Sequence, residues 1–247
     1  MSQLSAIQVK EINKLYGRKP VLHGVSFAVQ AGTIHGFVGP NGAGKSTTLG
    51  IVTRLVLPST GDIFIWGKSV SSDPSFNEHL GFVPAESHFP DGWTVKECVL
   101  KCARLRDVSE KEVLARLAQS DLSRHLNQTC NSLSTGQMKM LQLFLIFALI
   151  FEVIKKRGLN KKIVLLLDEP FNGLDFDNRD LLTNRLHEIK ASGAAVFIST
   201  HDLDDLQHLA DYITMIKQGQ IVYDGPKTAD IKDTYRKIFR PAESRNF

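Results

Sequence analysis

The chain has 247 residues, of which 43% are hydrophobic and 23% are charged. This composition is typical of a globular protein with one large or two small domains, and it excludes a disordered, collagen-like or disulfide-scaffold chain. The 30 Lys and Arg residues only slightly exceed the 26 Asp and Glu residues, and the net charge of +4 is spread along the chain. Such a small excess does not imply a nucleic-acid partner.

The cysteines and the N-terminal segment indicate a reducing compartment. The first ten residues lack the basic and apolar regions of a secretory signal, so we expect a cytoplasmic protein whose three cysteines are free, buried thiols. Cys98 and Cys102 would share a helix face, which leaves open a metal site with Cys130 or His125, although no CxxC or HxxxH pair supports one. The longest apolar run, Leu143 to Phe151, has nine residues, whereas about 20 are needed to cross a bilayer.

The predicted elements change in character twice along the chain. The first part has four strand-like runs, AIQVKEI, VSFAV, TIHGFVG and GDIFIWG. One predicted helix, KSTTLGIVTRLV, lies between the last two. A further strand, HLGFVPA, ends at Pro84 and is followed by a loop, SHFPDGW. From Thr94 to about Lys156 the apolar spacing is helical, with Ser109 as a helix N-cap. Strands and helices then alternate again. The strand KKIVLLL is followed by a helix from about Asp177 to Lys190, the strand AAVFIST, a helix around DLDDLQHLA, and the runs YITMIKQG and QIVYDGP.

This order predicts an α/β fold with a mainly parallel sheet, an N-terminal antiparallel β part and an inserted α-helical subdomain. Ligands bind such sheets beyond the carboxyl ends of the strands, so we expect the chemistry directly after the apolar strands. We expect one domain over residues 1–247, made of an α/β core at 1–85 and 160–226, a helical subdomain at 86–159 and a C-terminal tail at 227–247.

A phosphate-binding loop lies between a predicted strand and a predicted helix. The pattern GxxxxGK[ST] is matched by the segment Gly39, Pro40, Asn41, Gly42, Ala43, Gly44, Lys45, Ser46 and Thr47. Its glycines allow consecutive backbone N–H groups and the helix start to point at phosphates, and Lys45 brings a positive charge to the β and γ oxygens. Ser46 would ligate Mg²⁺. The pattern therefore predicts a P-loop NTPase core.

Two acids follow the aliphatic run Val164–Leu167. A buried strand would deliver Asp168 and Glu169 to the sheet edge where the phosphate loop also lies. We expect Asp168 to hold Mg²⁺ through water and Glu169 to orient or deprotonate the attacking water as a catalytic residue. Two adjacent acids are more often a helix start, so this assignment depends on the phosphate loop.

The segment Leu133–Gln137, LSTGQ, opens a predicted helix. Alone it would be a helix cap, but together with the phosphate loop and the paired acids it resembles the LSGGQ signature of the ATP-binding cassette (ABC) family. The resemblance extends over about residues 7–226. It implies an ATPase dimer in which Ser134, Gly136 and Gln137 of one subunit close on the ATP held by the other. A helix start that binds anions is physically suited to this role.

Three further residues receive roles from the resemblance. Tyr16 matches the aromatic residue that stacks on adenine, with a core or surface tyrosine as the alternative. Asp175, in the sequence NGLD, matches the D-loop that links the two active sites, with a plain turn as the alternative. His201 matches the switch histidine that senses the γ-phosphate, and it thus joins Lys45 and Glu169 as a catalytic residue, although a lone histidine is usually structural.

The sequence departs from the family pattern in three places. After GFVP the family usually has Gln or Glu, whereas here Ala85 follows and Glu86 is the nearest candidate to reach nucleotide and Mg²⁺. The basic residue that normally follows the signature is replaced by Met140, with Lys139 beside it. Residues 151–162 form an unusual, basic extension that either contacts anionic lipid or an acidic partner, or is simply solvated.

The resemblance implies the nucleotide-binding subunit of an ABC transporter, with export favoured. Its cofactors would be ATP and Mg²⁺, and its partners a second copy or a related cassette and separate polytopic membrane subunits. It would therefore lie on the cytoplasmic face of the inner membrane. The alternative is a soluble cassette ATPase in assembly or regulation, of the iron–sulfur scaffold or cell-division type. Phe89 and Trp93 lie where the membrane subunit would dock, unless they pack in the subdomain core.

Overall fold

The computed structural model describes residues 5–86, 89–157 and 162–240. Its strands are β1 (Ser5–Tyr16), β2 (Lys19–Gln30), β3 (Ile34–Val38), β4 (Thr60–Ile65), β5 (Lys68–Ser69), β6 (Leu80–Val83), β7 (Val164–Asp168), β8 (Ala195–Thr200), β9 (Tyr212–Lys217) and β10 (Gln220–Pro226). Its α-helices are α1 (Lys45–Val52), α2 (Val95–Leu105), α3 (Glu110–Ala118), α4 (Thr135–Arg157), α5 (Phe176–Ala191), α6 (Leu203–Leu209) and α7 (Ile231–Phe239).

The chain divides into two compact units. One unit comprises Met1–Leu80, Lys161–Glu169 and Thr183–Phe247, and the other comprises Gly81–Asn160 and Pro170–Leu182. We call them the core unit and the helical unit. The helical unit includes residues 170–182, a separate segment whose membership no sequence pattern indicates.

The core unit contains an antiparallel sheet in the order β2-β1-β4-β5. Strands β1 and β2 form a hairpin in which Tyr16 faces Lys19 across a two-residue turn, and the turn residue Gly17 adopts φ 59°. A positive φ at this place is required by the turns that match the twist of a hairpin. The antiparallel part predicted near the N-terminus is thus confirmed.

The core unit also contains a mainly parallel sheet in which β9, β3, β8 and β7 lie side by side in that order. All three pairs are parallel, and β10 is antiparallel to β9 at the edge. Every residue of β3, β7 and β8 is buried, as expected for parallel strands covered on both faces. Their carboxyl ends therefore meet at one edge, where the phosphate loop, the paired acids and His201 begin.

Aromatic rings join the two sheets of the core unit. Phe27 of the antiparallel sheet stacks against Phe37 and Phe197 of the parallel sheet, with ring centroids 5.6 and 5.5 Å apart. Stacked rings at this separation stabilise a core beyond their buried area. Phe37 belongs to β3 and Phe197 to β8, the two strands that lead into the phosphate loop and His201.

The helical unit is organised by local caps and a small apolar core. Thr94 and Glu97 form a capping box at the start of α2, since each side chain bonds to the backbone N–H of the other residue. The predicted Ser109 cap is confirmed, because its Oγ accepts a hydrogen bond from the backbone N–H of Glu112 at 3.4 Å. Helices α2, α3 and α4 enclose the core, against which Phe89 and Trp93 are packed as half-buried side chains.

The three cysteines lie in the helical unit as free thiols. Cys98 and Cys130 are buried, as expected, whereas Cys102 is partly exposed. The hydrogen bond with the Cys102 thiol, together with burial, raises the pKa of Cys98, while the hydrogen bond with Cys98 lowers the pKa of Cys102 to about 7. Within the described ranges, no group of three or more His, Cys, Asp or Glu side chains is arranged to hold a metal ion.

Two regions differ from, or extend beyond, the predicted elements. The predicted C-terminal tail contains the helix α7, which is capped by the side chain of Asp230. Of the predicted extension at 151–162, residues 158–161 lie outside the described residues, and the backbone of α4 continues to Arg157. Among the helices in the described part of the chain, none is both long and apolar enough to span a bilayer.

Candidate nucleotide site

The phosphate loop connects the end of β3 to the start of α1 in the core unit. Gly44, directly before α1, adopts φ 111°, a conformation that residues with a side chain rarely adopt. A Cβ atom on Gly39 would lie 2.4 Å from the carbonyl oxygen of Ile216. Both positions therefore require glycine, and the loop leaves the first N–H groups of α1 without intrahelical partners. Phosphate oxygens would accept hydrogen bonds from these N–H groups.

Lys45 lies over this loop. Its buried Nζ donates hydrogen bonds to the carbonyl oxygens of Gly39 at 2.6 Å and Pro40 at 3.4 Å. Burial lowers the pKa of Lys45, and the negative charges of Glu169 and Asp168 oppose this shift. The ammonium group is therefore held beside the loop and within the electrostatic field of both predicted acids.

Glu169 has a backbone conformation that its sequence context does not indicate. It follows the last residue of β7 and adopts φ 46°, in the left-handed region. A non-glycine residue in this region costs about 1–3 kcal/mol, and such residues cluster at functional sites. The backbone N–H of Glu169 donates to the carbonyl oxygen of Ser199 at 2.8 Å. That bond ties the strained residue to the end of the neighbouring strand β8.

The carboxylate of Glu169 is held by the two residues that end β8 and follow it. Its Oε2 accepts a hydrogen bond from Thr200 Oγ1 at 3.1 Å, and its Oε1 lies 2.9 Å from His201 Nδ1. The side chain of His201 is 61% exposed, whereas that of Glu169 is only 15% exposed. The structure thus brings together two predicted catalytic residues. Sequence reasoning missed Thr200, whose only signal was its place directly before His201.

Oxygen donors for a cation lie on α1 and β7, which are in contact. Ser46 presents an exposed hydroxyl in the first turn of α1, and Asp168 presents a buried carboxylate at the end of β7. Hydroxyl and carboxylate oxygens are the ligands that Mg²⁺ prefers, and it is commonly held together with substrate phosphates. The residues present therefore fit a Mg²⁺ ion beside a phosphate-binding loop.

Tyr16 lies at the end of β1, with 49% of its surface exposed. The Nζ of Lys14 lies 4.7 Å from the centre of its ring. The core alternative is therefore wrong for Tyr16. Its exposed ring is open to stacking, and its role with adenine stays a prediction.

The LSTGQ segment forms a cap at the start of α4 in the helical unit. The backbone N–H of Ser134 donates to Gln137 Oε1 at 2.9 Å, and the backbone N–H of Gln137 donates to Ser134 Oγ at 3.3 Å. This reciprocal pair is a capping box. Gln137 Nε2 also lies 3.2 Å from His125 Nε2, a contact that sequence reasoning missed. A local capping role and an anion-binding role use the same helix start and are compatible.

The signature contacts the predicted D-loop within the helical unit. A Cβ atom on Gly136 would lie 2.6 Å from the carbonyl oxygen of Gly173, which itself adopts φ 79°. Gly136 is therefore a glycine because the backbone of the NGLD segment passes directly over it. Asp175 caps α5 through Oδ1, which accepts from the backbone N–H of Asn178 at 3.0 Å. Glu86 is exposed in the loop after β6.

A known protein family matches more than half of this chain. The model of the family described as "ABC transporter" matches residues 22–172. The chain belongs to the ABC transporter family. It is an ATP-binding cassette, and such cassettes bind ATP and are ATPases coupled to transport. The motifs had predicted both the family and the ATPase activity, which are confirmed.

The relatives include proteins with export in their names. The chain is 32% identical over 234 residues to the Nod factor export ATP-binding protein I of Burkholderia orbicola (strain AU 1054), covering 93% of this chain and 73% of the relative. A protein of the same name from Rhizobium meliloti (strain 1021) is 32% identical, and only 64% of its length is covered. The SkfA peptide export ATP-binding protein SkfE of Bacillus subtilis (strain 168) is 30% identical, with 90% of this chain and 89% of the relative covered.

A solved structure of the ATP-binding subunit of an ABC transporter is similar over nearly the whole chain. It superimposes with a TM-score of 0.80 at 27% sequence identity, and the match covers 97% of this chain and 96% of that one. The α/β fold predicted from the sequence is thereby confirmed.

Proposed function

We propose that this cassette is the ATP-hydrolysing subunit of an export-type transporter and that Glu169 is its catalytic base. The observation that carries the proposal is the placement of the Glu169 carboxylate. It is held by Thr200 and His201 at the same sheet edge as the phosphate loop, and its charge acts on Lys45. The names of the relatives favour export over assembly or regulation.

The residues of the core unit have separate roles in phosphoryl transfer. The loop N–H groups and Lys45 bind the phosphates of ATP, and Tyr16 stacks on the adenine. Ser46 and Asp168 would hold Mg²⁺, which would neutralise negative charge on the phosphates. Glu169 orients the attacking water and accepts its proton, because phosphoryl transfer depends mostly on positioning and electrostatics. His201 keeps the Glu169 carboxylate in place and senses the γ-phosphate.

The helical unit supplies the other half of a composite site. Ser134, Gly136 and Gln137 at the start of α4 offer anion-binding donors to the ATP of a second copy or a related cassette. Asp175 is the candidate for linking the two active sites of the dimer, and Glu86 is the nearest candidate to reach nucleotide and Mg²⁺. The dimer drives separate polytopic membrane subunits and thereby lies on the cytoplasmic face of the inner membrane.

Two substitutions separate binding from hydrolysis. Glu169→Gln keeps the shape of the side chain but removes the base, so we expect ATP affinity to persist and turnover to fall by about 10²-fold or more. Lys45→Ala removes a charge-assisted contact to phosphate, and we expect ATP affinity to fall by about 10- to 100-fold. Turnover is measured by phosphate release and affinity by a fluorescent ATP analogue.

The matched control is Glu188→Gln, since Glu188 is an exposed carboxylate that pairs with Arg185 on α5. It should leave both turnover and affinity unchanged. A Glu169→Gln protein that hydrolyses ATP at the wild-type rate would remove Glu169 from the catalytic role.

A further inference from the structure

Lys139 is a buried lysine in the first turns of α4, two residues after the signature. Only 3% of its surface is exposed. Its Nζ donates hydrogen bonds to the carbonyl oxygens of Ala85 at 3.0 Å and Pro84 at 3.2 Å. The ammonium group therefore joins α4 to the loop Pro84–Glu86 that follows β6, within the helical unit.

Packing does not explain a lysine at this position. Removing an ammonium group from water is costly unless hydrogen bonds compensate for the loss. A methionine would fill the same space without the charge. What the lysine adds is a directional link from α4 to two consecutive carbonyl groups.

The loop at the other end of this link departs from the family pattern at Ala85. Ala85 stands where the family pattern has an amide or a carboxylate, and its side chain has no polar atom. Its backbone carbonyl is instead bonded by Lys139. A shift of the loop would thus be transmitted through Lys139 to the helix that begins with the LSTGQ cap.

The same helix start is also tightly constrained by the NGLD segment and by its own cap. Gly136 leaves no room for a Cβ atom beneath the carbonyl oxygen of Gly173, and the Ser134–Gln137 capping pair sets the direction of the first N–H groups. Lys139 is less than one helical turn beyond Gln137. Lys139 and the signature donors therefore lie on the same short stretch of α4.

We propose that Lys139 is a positioning residue that couples the loop Pro84–Glu86 to the signature helix and so sets LSTGQ for closure on ATP. This inference rests on the proposed role of LSTGQ in a composite site. Lys139 lies in the helical unit, whereas the phosphate loop and Lys45 lie in the core unit. Its loss should therefore reduce turnover and ATP-driven dimerisation without changing the ATP affinity of the monomer.

The test compares Lys139→Met, Lys139→Arg and wild type in the full chain. We expect Lys139→Met to keep the thermal midpoint and the ATP affinity but to lower kcat by about tenfold, within the range of coupling between sites. Lys139→Arg, which keeps donors for the two carbonyls, should restore most of kcat. Lys111→Met on α3, an exposed lysine, is the control and should match wild type in every measurement.

Measuring ATP-dependent dimerisation distinguishes a wrong role for Lys139 from a wrong proposed function. With Mg·ATP, the Glu169→Gln protein should dimerise, and the Lys139→Met/Glu169→Gln protein should dimerise less. Equal dimerisation of the two, or a loss of kcat that follows a lowered thermal midpoint and is not restored by Lys139→Arg, would overturn the role of Lys139 alone. A Glu169→Gln protein that stays monomeric with ATP bound would overturn the composite site and this inference with it.

Discussion

His35 shows how the fold changes the chemistry of a single residue. It lies within the buried strand β3, and only 1% of its side chain is exposed. Thr214 Oγ1 donates to Asp224 Oδ1 at 2.6 Å and therefore accepts from His35 Nε2 at 2.7 Å. Burial lowers the pKa of His35 to about 3. The imidazole is thus neutral in the folded protein throughout the physiological pH range.

This shift makes stability depend on pH. Below the ordinary pKa of about 6.5 the unfolded chain takes up a proton at His35 that the folded chain does not bind. The contribution is therefore fully present above pH 6.5 and is lost as the pH falls towards 3. Between pH 7.5 and 5.5 we expect wild type to lose about 1.4 kcal/mol more unfolding free energy than His35→Gln, in guanidinium titrations.

Comparison with His35→Gln isolates the histidine, because both proteins retain Asp224. His187→Gln, which removes an exposed histidine on α5, should follow wild type. Parallel pH profiles for wild type and His35→Gln would show that His35 is not buried as a neutral group.

The segment that leads into α2 is packed into the helical unit through Trp93. Trp93 directly precedes the Thr94 cap, and its carbonyl oxygen accepts from the backbone N–H of Cys130 at 2.8 Å. Its ring is half-buried against the core of the helical unit, and the Nζ of Lys101 lies 3.9 Å from the ring centre. These contacts favour packing over docking of a membrane subunit as the main role of Trp93.

We therefore expect Trp93→Ala to lower the stability of the helical unit by about 2 kcal/mol, through loss of apolar burial and of the cation–π contact. The thermal midpoint should fall, while ATP affinity measured below the transition should be unchanged. Trp93→Phe, which keeps an aromatic ring, should recover most of the loss. An unchanged midpoint combined with weaker recovery of a membrane partner would place Trp93 at an interface instead.

The functional motifs are divided between the two units. The phosphate loop, the paired acids and His201 belong to the core unit, and LSTGQ and the NGLD segment belong to the helical unit. ATP bound to the phosphate loop of one chain can join two chains if it also contacts the signature of another. The oligomeric state should therefore depend on nucleotide.

We expect the Glu169→Gln protein to change from monomer to dimer when Mg·ATP is added, as measured by light scattering. Adding Gly136→Ala to this protein should weaken the dimer, because the new Cβ atom would lie 2.6 Å from the carbonyl oxygen of Gly173 and displace the signature. The same mass with and without saturating ATP in the Glu169→Gln protein would contradict the composite site.

The family, the α/β fold and the position of the phosphate loop could be predicted from sequence patterns. These features depend on local information: the glycine spacing of residues 39–47, the apolar runs that precede Asp168 and His201, and the serine cap of α3. Motif spacing and hydrophobic periodicity act over a few residues, so they can be recognised without knowing what packs against them.

The contacts between these parts could not be predicted from the sequence. The bonds from Glu169 to Thr200 and His201 and from Lys139 to Ala85 join residues 31, 32 and 54 positions apart. The close approach of Gly136 to Gly173 and the depressed pKa of His35 likewise depend on burial by distant segments. No local pattern encodes such pairs, because packing of the complete chain determines which groups lose water and which partners replace it.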